Sequence, residues 1–297
     1  MREPETRLLR HHHDAAFFSE AIAFTSAQQG FVSALIEKDY FCSVVLTYLS
    51  GLSGGNLVFK GGTCLTKVHA GFYRLSEDLD FAISLPVDAP RSERSRKIEP
   101  VKRAIRMLCE AMPEFREEEP LTGANASRQY VGSLSYESPL RRRRETIKIE
   151  ISLREPLVEQ SENHGVATIL QNPLSGKPLV APIPFSCIAK REALAEKFRA
   201  AMTRREPAVR DYFDIDYAIQ HSQVDLTESL WLRMVRDKLA VPGNEPVDVS
   251  ERRLRVLQDQ VQLFLKPVLR VGELRAFDLD RAFGLVAQVA VAVGPAA

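Results

Sequence analysis

Asp78 and Asp80 stand at the entrance of a predicted strand, separated by one apolar residue. Side chains at this spacing share one face of a strand, about 7 Å apart along the backbone. Two carboxylates this close repel each other unless a cation lies between them, and Mg²⁺ prefers oxygen ligands of this kind. Such pairs are typical of phosphoryl and nucleotidyl transfer. A solvated acidic turn would explain Asp78, but not Asp80 between Leu79 and Phe81.

A glycine turn precedes the aspartates and contains Lys60, Gly61, Gly62 and Thr63. Two glycines let the backbone approach a ligand closely, and free amides at the start of a helix favour an anion such as a triphosphate. The Thr63 hydroxyl could add a further contact. A Gly-Gly pair alone is also typical of an ordinary strand-to-helix turn, so the nearby aspartates decide the interpretation. We expect residues 60–81 to form a nucleotide- and metal-binding corner.

A third carboxylate, Glu150, lies on the polar face of a predicted strand together with Lys148. If that strand neighbours the one with Asp80, Glu150 would complete a metal-binding triad or act as the general base on an attacking hydroxyl. The alternative is a solvent-facing glutamate that only pairs with Lys148.

The helical part of the sequence places charged residues on apolar stripes. Lys197 falls on the same face as Phe198, where a charge is unfavourable without a partner. It could reach a triphosphate, or its amine could extend to solvent. Asp211 and Asp214 share a stripe with Ala218, and Lys197 is the cation that we expect them to contact. Favourable interaction with a helix N-terminus is the alternative, and it suits Asp211 better than Asp214.

The periodicity along the chain predicts an α/β domain over residues 1–180 and an α-helical domain over residues 181–297. Strands are predicted at 57–59, 79–83, 129–136, 146–153 and 179–183, the last interrupted by prolines and expected at a sheet edge. Helices are predicted at 32–52, 63–71, 100–112, from an N-cap at Ser186 onward, and at 208–221, 227–239, 250–265 and 278–293. Residues 114–119 are expected to form an acidic loop.

The composition, with 45% hydrophobic and 27% charged residues, is typical of a folded soluble protein. No segment has the ~20 apolar residues of a membrane span, and the N-terminus lacks a signal peptide, so we expect a cytoplasmic protein. The scattered cysteines favour buried free thiols. His11, His12 and His13 could bind a metal adventitiously, although a solvated basic arm or a cloning remnant is the favoured interpretation.

The net charge of +1 gives no general attraction to polyanions, so any RNA contact depends on local patches. Residues 141–154 contain six cations and two acids, among them Arg141, Arg142, Arg143 and Arg144, and residues 190–210 contain seven cations and three acids. These patches suit an RNA backbone, but solvation is the usual explanation of such runs.

These residues together resemble the AbiEii/MenT family of nucleotidyltransferase toxins, within the polymerase-beta-like nucleotidyltransferase superfamily. The resemblance extends in order from about residue 36 to residue 218. It rests on five segments, namely Glu37-Lys38-Asp39-Tyr40, Phe59-Lys60-Gly61-Gly62-Thr63-Cys64-Leu65-Thr66-Lys67, Arg74-Leu75-Ser76-Glu77-Asp78-Leu79-Asp80-Phe81, Leu194-Ala195-Glu196-Lys197 and Arg210-Asp211-Tyr212-Phe213-Asp214.

The resemblance implies a mixed β-sheet core flanked by helices, with a helical C-terminal lobe. Gly62 and Thr63 would hold the nucleoside triphosphate, and Asp78 and Asp80 would hold Mg²⁺. Lys197 would contact the phosphates, with Asp214 and Asp211 supporting the active site, which is expected between the lobes. Family members transfer a nucleoside monophosphate to the 3′ acceptor end of tRNA, and a helix-turn-helix antitoxin is usually encoded beside them. We expect a monomer.

Two other functions fit the same residues. A small-molecule nucleotidyltransferase, such as one that inactivates an aminoglycoside, would use the same corner with a more acidic acceptor pocket. A non-catalytic nucleotide-binding regulator would keep the fold. The presence of both Asp78 and Asp80 argues against such a loss of activity.

Overall fold

The computed structural model describes residues 8–52, 56–221 and 224–294, which divide into two compact units. The first unit runs to Leu157 and includes Ser161–Ile188. The second consists of Val158–Gln160 and the residues from Ala189 onward.

The first unit contains a mixed sheet with the strand order β3-β4-β5-β2-β1-β7-β6. The strands are β1 Val58–Lys60, β2 Leu79–Ala82, β3 Phe115–Ala124, β4 Gln129–Ser138, β5 Arg143–Ser152, β6 Glu162–Val166 and β7 Ile183–Cys187. Strand β2 runs parallel to β5, and β1 runs parallel to β7, whereas the other neighbours are antiparallel. The predicted fold class, a mixed sheet flanked by helices, is confirmed.

Four helices belong to the first unit, namely α1 Ala15–Gln29, α2 Ser33–Leu52, α3 Gly61–Cys64 and α4 Arg91–Ala111. A single π-helical turn, Leu65–His69, continues α3. The core forms where α2 packs on the sheet, and the rings of Phe41 and Tyr136 stack there at 3.9 Å. The alternating pattern of β5 is confirmed, because Ile147, Ile149 and Ile151 are all buried.

Helix α4 and strand β3 differ from the sequence predictions. The helix begins at Arg91 and continues through Pro100, because a buried stripe through Ile98, Val101 and Leu108 runs past the exposed proline. The acidic segment predicted as a loop lies in β3 instead. Register shifts between Glu117 and Thr122 disturb its alternation, so this segment shows no strand pattern in the sequence.

The prediction of a strand at residues 179–183 was wrong in two respects, namely its position in the sequence and its place at a sheet edge. The observed β7 begins at Ile183 and lies between β1 and β6. Pro184 is tolerated inside this sheet because the short strand β1 pairs with β7 only at Cys187. Pro184 therefore has no register partner in β1. Ser186 therefore lies in β7 and is not an N-cap; the next helix begins at Lys190. Helix α1 and strand β6 were not predicted.

The second unit is helical. Its helices are α5 Lys190–Thr203, α6 Val209–His221, α7 Ser229–Ala240, α8 Glu251–Gln260, α9 Val271–Ala276 and α10 Leu279–Val293. Helix α5 packs on α6 and α7, with Phe198 edge-on to Trp231 at 5.2 Å. Among the residues that the structure describes, no helix combines the length and the apolar character that a bilayer crossing requires.

Candidate active site

The glycine turn and the first aspartate strand meet directly. Strands β1 and β2 are antiparallel, and Lys60 is the register partner of Asp80. The next residue, Gly61, has a φ of +74°, and a Cβ atom built there would lie 2.1 Å from Oδ2 of Asp80. Only glycine satisfies both conditions. The Asp80 carboxylate therefore lies directly against the backbone of Gly61.

Arg74 lies beside the second glycine of the turn. A Cβ atom at Gly62 would come within 2.5 Å of Nη2 of Arg74, so this position also requires glycine unless the arginine moves. The Arg74 side chain is only 2% exposed, and its Nη1 donates to the Leu75 carbonyl at 3.2 Å. A buried guanidinium next to the turn adds positive charge where an anion was predicted. The sequence alone indicated no role for Arg74, although it stands in one of the segments that resemble the family.

The Thr63 hydroxyl is used within the protein. The side chain is buried, and its Oγ1 donates to the backbone carbonyl of Asp78. This bond ties α3 to the backbone at the entrance of β2. Helix α3 has only four residues, so the anion-binding character of the turn comes from close backbone approach more than from a helix dipole.

Strand β5 brings Glu150 beside Asp80, since the two residues are register partners in the parallel pair β2–β5. The Glu150 carboxylate accepts from Nε2 of Gln129 at 2.5 Å and contacts Nζ of Lys148 at 3.1 Å. The predicted strand neighbourhood and the predicted Lys148 pair are therefore both present. Glu150 is close to the aspartates, but its oxygens have protein partners in this conformation.

Lys148 links the three acids electrostatically. Partial burial alone would lower the pKa of Lys148, but the charge and hydrogen bond of Glu150 outweigh it, and Asp78 and Asp80 add to the effect, so the pKa is raised. Three acids therefore lie near enough to Lys148, whose side chain is 49% exposed, to raise its pKa. Neighbouring carboxylates of this kind can bind a cation.

The donor set fits a hard divalent cation. Asp78 and Asp80 offer carboxylate oxygens from either side of Leu79, and such oxygens are the ligands that Mg²⁺ prefers. Within the described residues, the group of three ligating side chains whose atoms lie within 4.8 Å of one another is His12, His13 and Glu114, not the predicted triad. Glu150 contacts Lys148 in this structure, so it could bind a metal only after that contact is broken.

In the second unit, Lys197 lies between two carboxylates. Its Nζ is 2.8 Å from Oδ1 of Asp211 and 2.8 Å from Oδ2 of Asp214. The Lys197 side chain is 12% exposed, so its amine points into the α5–α6 contact and not to solvent. The predicted pairing of this lysine with both aspartates is confirmed.

The pKa of Asp211 is lowered in this network. Burial would raise its pKa, but the charges of Lys197 and Arg204 and the bond from Lys197 outweigh burial, so the pKa is lowered. Nε of Arg204 lies 3.1 Å from Oδ2 of Asp211 and adds a second, more exposed cation. Two acids and two cations therefore compensate each other on these helices.

The segment upstream of the corner supports it from within the first unit. Asp39 forms a buried ion pair of 2.7 Å with Lys67, which belongs to the π-helical turn. Lys38 contacts Glu77, next to Asp78, at 3.2 Å. Helix α2 thus braces both sides of the corner, a role that the sequence motif alone did not reveal.

Comparisons with known proteins agree with this geometry. The family described as "Nucleotidyl transferase AbiEii toxin, Type IV TA system" matches residues 48–282. No curated protein matches.

Two solved structures from Helicobacter pylori share the fold, and a third solved structure is similar to this chain. A provisionally assigned nucleotidyltransferase from Helicobacter pylori has a TM-score of 0.52 and 14% identity over 89% of this chain and 96% of its own. JHP933 from H. pylori has a TM-score of 0.50 and 14% identity over 89% and 93%. MenT4, a nucleotidyltransferase toxin from Mycobacterium tuberculosis, has a TM-score of 0.48 and 20% identity over 95% and 96%.

The family match covers most of the chain and includes the glycine turn, the aspartate strand and the lysine–aspartate helices. The chain belongs to the AbiEii family of nucleotidyltransferase toxins, and it is a nucleotidyltransferase.

Proposed function

We propose that the protein is a Mg²⁺-dependent toxin that transfers a nucleoside monophosphate from a nucleoside triphosphate to the 3′ acceptor end of tRNA, which blocks translation. The observation that carries the proposal is the contact geometry at Gly61, where a Cβ atom would lie 2.1 Å from Oδ2 of Asp80. It joins a backbone suited to phosphate and a carboxylate suited to metal in one corner. The cognate antitoxin would carry a helix-turn-helix domain, and the reaction would occur in the cytoplasm, where tRNA is charged.

Each residue of the corner then has a defined task. The backbone at Gly61 and Gly62 receives the triphosphate, with Arg74 adding positive charge beside it. Asp78 and Asp80 would hold the metal, which when bound neutralises phosphate charge. Glu150, beside Asp80, would accept the proton of the attacking hydroxyl.

Lys197 would contact the phosphates, and Asp211 and Asp214 would orient its amine. The ion pairs of 2.8 Å support this assignment, because they fix the position of the amine before substrate binds. These roles follow the family motif, and mutagenesis of the two units separately tests them.

The RNA acceptor needs exposed cations, and the arginine run supplies fewer than its sequence suggests. Arg141 and Arg143 both contact Glu145, at 3.0 and 2.7 Å. Arg144 turns inward and donates to Ser135. The outer face of α4 offers further exposed cations, which are Arg96, Lys97, Arg103 and Arg106. Exposed cations on this face support RNA binding more directly than the arginine run does.

The decisive experiment incubates the full chain with Mg²⁺, total tRNA and each of the four labelled nucleoside triphosphates in turn. We expect labelled tRNA with at least one nucleotide. The Asp80→Asn variant should lose transfer by several kcal/mol of transition-state stabilisation, roughly 10³-fold, with an unchanged circular dichroism spectrum. Labelling of tRNA that persists in this variant would refute the site.

A small cationic acceptor such as an aminoglycoside is a second candidate, and one observation favours it. Ser133 and Ser135 lie on the same sheet face as Glu150, and they contact carboxylates of Glu119 and Glu118 at 3.3 and 2.8 Å. These acids make the face next to the corner partly negative. Replacing tRNA by aminoglycosides in the same assay separates the candidates, because only the true acceptor gains label.

A further inference from the structure

A cluster of three ligating side chains lies near the N-terminus of the first unit. His11–His13 form a single 3-10 turn, and His12 in this turn is only 8% exposed. Nε2 of His12 lies 2.6 Å from Oε1 of Glu114, and Nε2 of His13 lies 3.3 Å from the same oxygen. Residues far apart in sequence thus converge, and the turn is not the solvated arm favoured by the sequence interpretation.

The cluster is held in place by a second layer of contacts. Nδ1 of His12 lies 2.9 Å from the hydroxyl of Tyr40, which is fully buried. The backbone carbonyl of Glu114 accepts from Nη2 of Arg144 at 3.3 Å. Metal-binding histidines typically use their second ring nitrogen in this way, because the bond fixes the orientation of the ring.

We propose that His12, His13 and Glu114 bind one Zn²⁺ ion. Their three ligand atoms already lie within 4.8 Å of one another. Two imidazoles with one carboxylate suit Zn²⁺ better than Mg²⁺, which prefers oxygen ligands alone. The site is separate from Asp78 and Asp80, and it does not depend on the proposed tRNA reaction.

The distances show what binding changes. Two ligands about 2.0–2.1 Å from a tetrahedral Zn²⁺ are roughly 3.3 Å apart. The separation of His13 and Glu114 already has this value, at 3.3 Å. His12 and Glu114, at 2.6 Å, must separate slightly as the metal replaces the proton between them. The His13 side chain is 50% exposed, so water takes the fourth position.

Bound Zn²⁺ would fasten the N-terminal turn to the start of β3. The free energy of binding would then add to the stability of the first unit, because the unfolded chain does not hold these residues together. The ion would therefore act structurally, and it would leave the transfer chemistry to the aspartate corner.

The test titrates Zn²⁺ into the full chain without a histidine tag, in excess Mg²⁺ so that the aspartate corner is occupied, using calorimetry and thermal unfolding. We expect one ion per chain and a higher Tm. His13→Ala and Glu114→Gln should each weaken binding at least tenfold. Two controls should leave it unchanged: His164→Ala, which removes another His–Glu contact of 2.8 Å, and Asp80→Asn in the candidate active site.

Each possible result supports or contradicts the zinc site. Unchanged affinity in Glu114→Gln would mean that the histidine run binds metal by itself, and the proposal would be wrong. Weaker binding in His164→Ala or Asp80→Asn would place the ion elsewhere and would also contradict the proposal. Absence of binding at micromolar Zn²⁺ would overturn it as well. His13 is half-exposed, so His13→Ala keeps the test valid even if Glu114→Gln folds poorly.

Discussion

The aspartate corner (Asp78, Asp80 and Glu150) and the lysine–aspartate cluster (Lys197, Asp211 and Asp214) contain similar residues at different degrees of burial. In the corner, the three acids are only partly buried and lie near the half-exposed Lys148. In the cluster, Asp211 and Asp214 are buried and paired with Lys197 and Arg204. Partly exposed carboxylates can bind a cation from solution, whereas a buried ion-pair network contributes to the fold that surrounds it.

The comparison predicts that mutations in the two regions affect different properties, namely transfer activity in the corner and stability in the cluster. A change in the corner should act mainly on transfer, with a smaller cost in stability. A change in the cluster should reduce stability first, because it leaves a buried charge without its partner. Three substitutions and one change of pH test this distinction, from the largest expected effect to the smallest.

Gly61→Ala should have the largest effect on activity. The new Cβ atom would lie 2.1 Å from Oδ2 of Asp80, at a φ of +74° that alanine adopts poorly. We expect transfer to fall by about 10²-fold or more, since displacement of reacting groups by 1 Å costs that much. Labelling of the acceptor by excess nucleotide measures the change.

Gly71→Ala is the matched control for this substitution. Gly71 has a similar φ of +69°, but no atom lies within 4 Å of its Cβ position. Both variants therefore carry the same backbone strain, and only Gly61→Ala displaces Asp80. Equal losses of transfer in the two variants would show that strain, not the carboxylate contact, explains the effect.

Lys197→Met should have the largest effect on stability. Methionine keeps the volume but leaves Asp211 and Asp214 without their shared cation, at a cost of about 3–5 kcal/mol in the free energy of unfolding. Urea denaturation followed by circular dichroism measures the loss.

Lys238→Met separates stability from function. The Lys238 side chain is 1% exposed, against 12% for Lys197, and contacts Glu192 and Glu196 at 2.6 and 3.3 Å, so its loss should destabilise the second unit at least as much. If Lys197 contacts the triphosphate, only Lys197→Met loses transfer per folded molecule. The same residual transfer in both variants would make Lys197 a purely structural residue.

Acid should weaken the cluster by a smaller amount, because protonation of Asp211 leaves the Lys197 contact with Asp214. The folded-state pKa of Asp211 lies below its ordinary value of 3.8. Its stabilising contribution is therefore complete above about pH 4 and is lost as the pH falls through the lower, folded-state pKa. The urea midpoint of Asp211→Asn should change less between pH 5 and pH 3 than that of the unmodified protein. Parallel curves would contradict the lowered pKa.

Thr63→Val should have the smallest effect. It removes the donation to the Asp78 carbonyl, at a cost of about 1 kcal/mol. Because this bond holds the backbone of Asp78 in place, we also expect a several-fold loss of transfer. Thr66→Val is the control, since Thr66 donates to the Thr63 carbonyl at 3.0 Å and is equally buried. A loss of transfer as large in Thr66→Val would mean that Thr63 does not position Asp78 in particular.

The sequence predicted those features that depend on local pattern. The alternation in β5 has a clear period, and burial follows it in the structure. Helix α2 forms where its periodicity predicts it, although residues 39–46 are buried on every face. The Lys197 pairing was predictable for a related reason, because three charges on apolar stripes of neighbouring helices must compensate each other.

Features that depend on distant contacts could not be predicted. Pro100 is a strong helix breaker in isolation, but packing of Ile98 and Val101 on both sides of it outweighs that preference. Burial of His12 depends on Tyr40 and Glu114, which lie 28 and 102 residues away in sequence. Likewise, the position of Arg74 against Gly62 exists only after the turn has folded.

The segment Val158–Gln160 belongs to the second unit, although the residues on both sides of it in sequence belong to the first. This has a practical consequence for fragments of this protein. Its backbone amides at Val158 and Glu159 donate to the buried carboxylate of Glu192, at 2.9 to 3.1 Å. A fragment that starts at Ala189 would lack these donors and leave Glu192 with Lys238 as its charged partner. The second unit is therefore discontinuous in sequence, and expression of residues 189–297 alone should yield a less stable product than the same residues within the full chain.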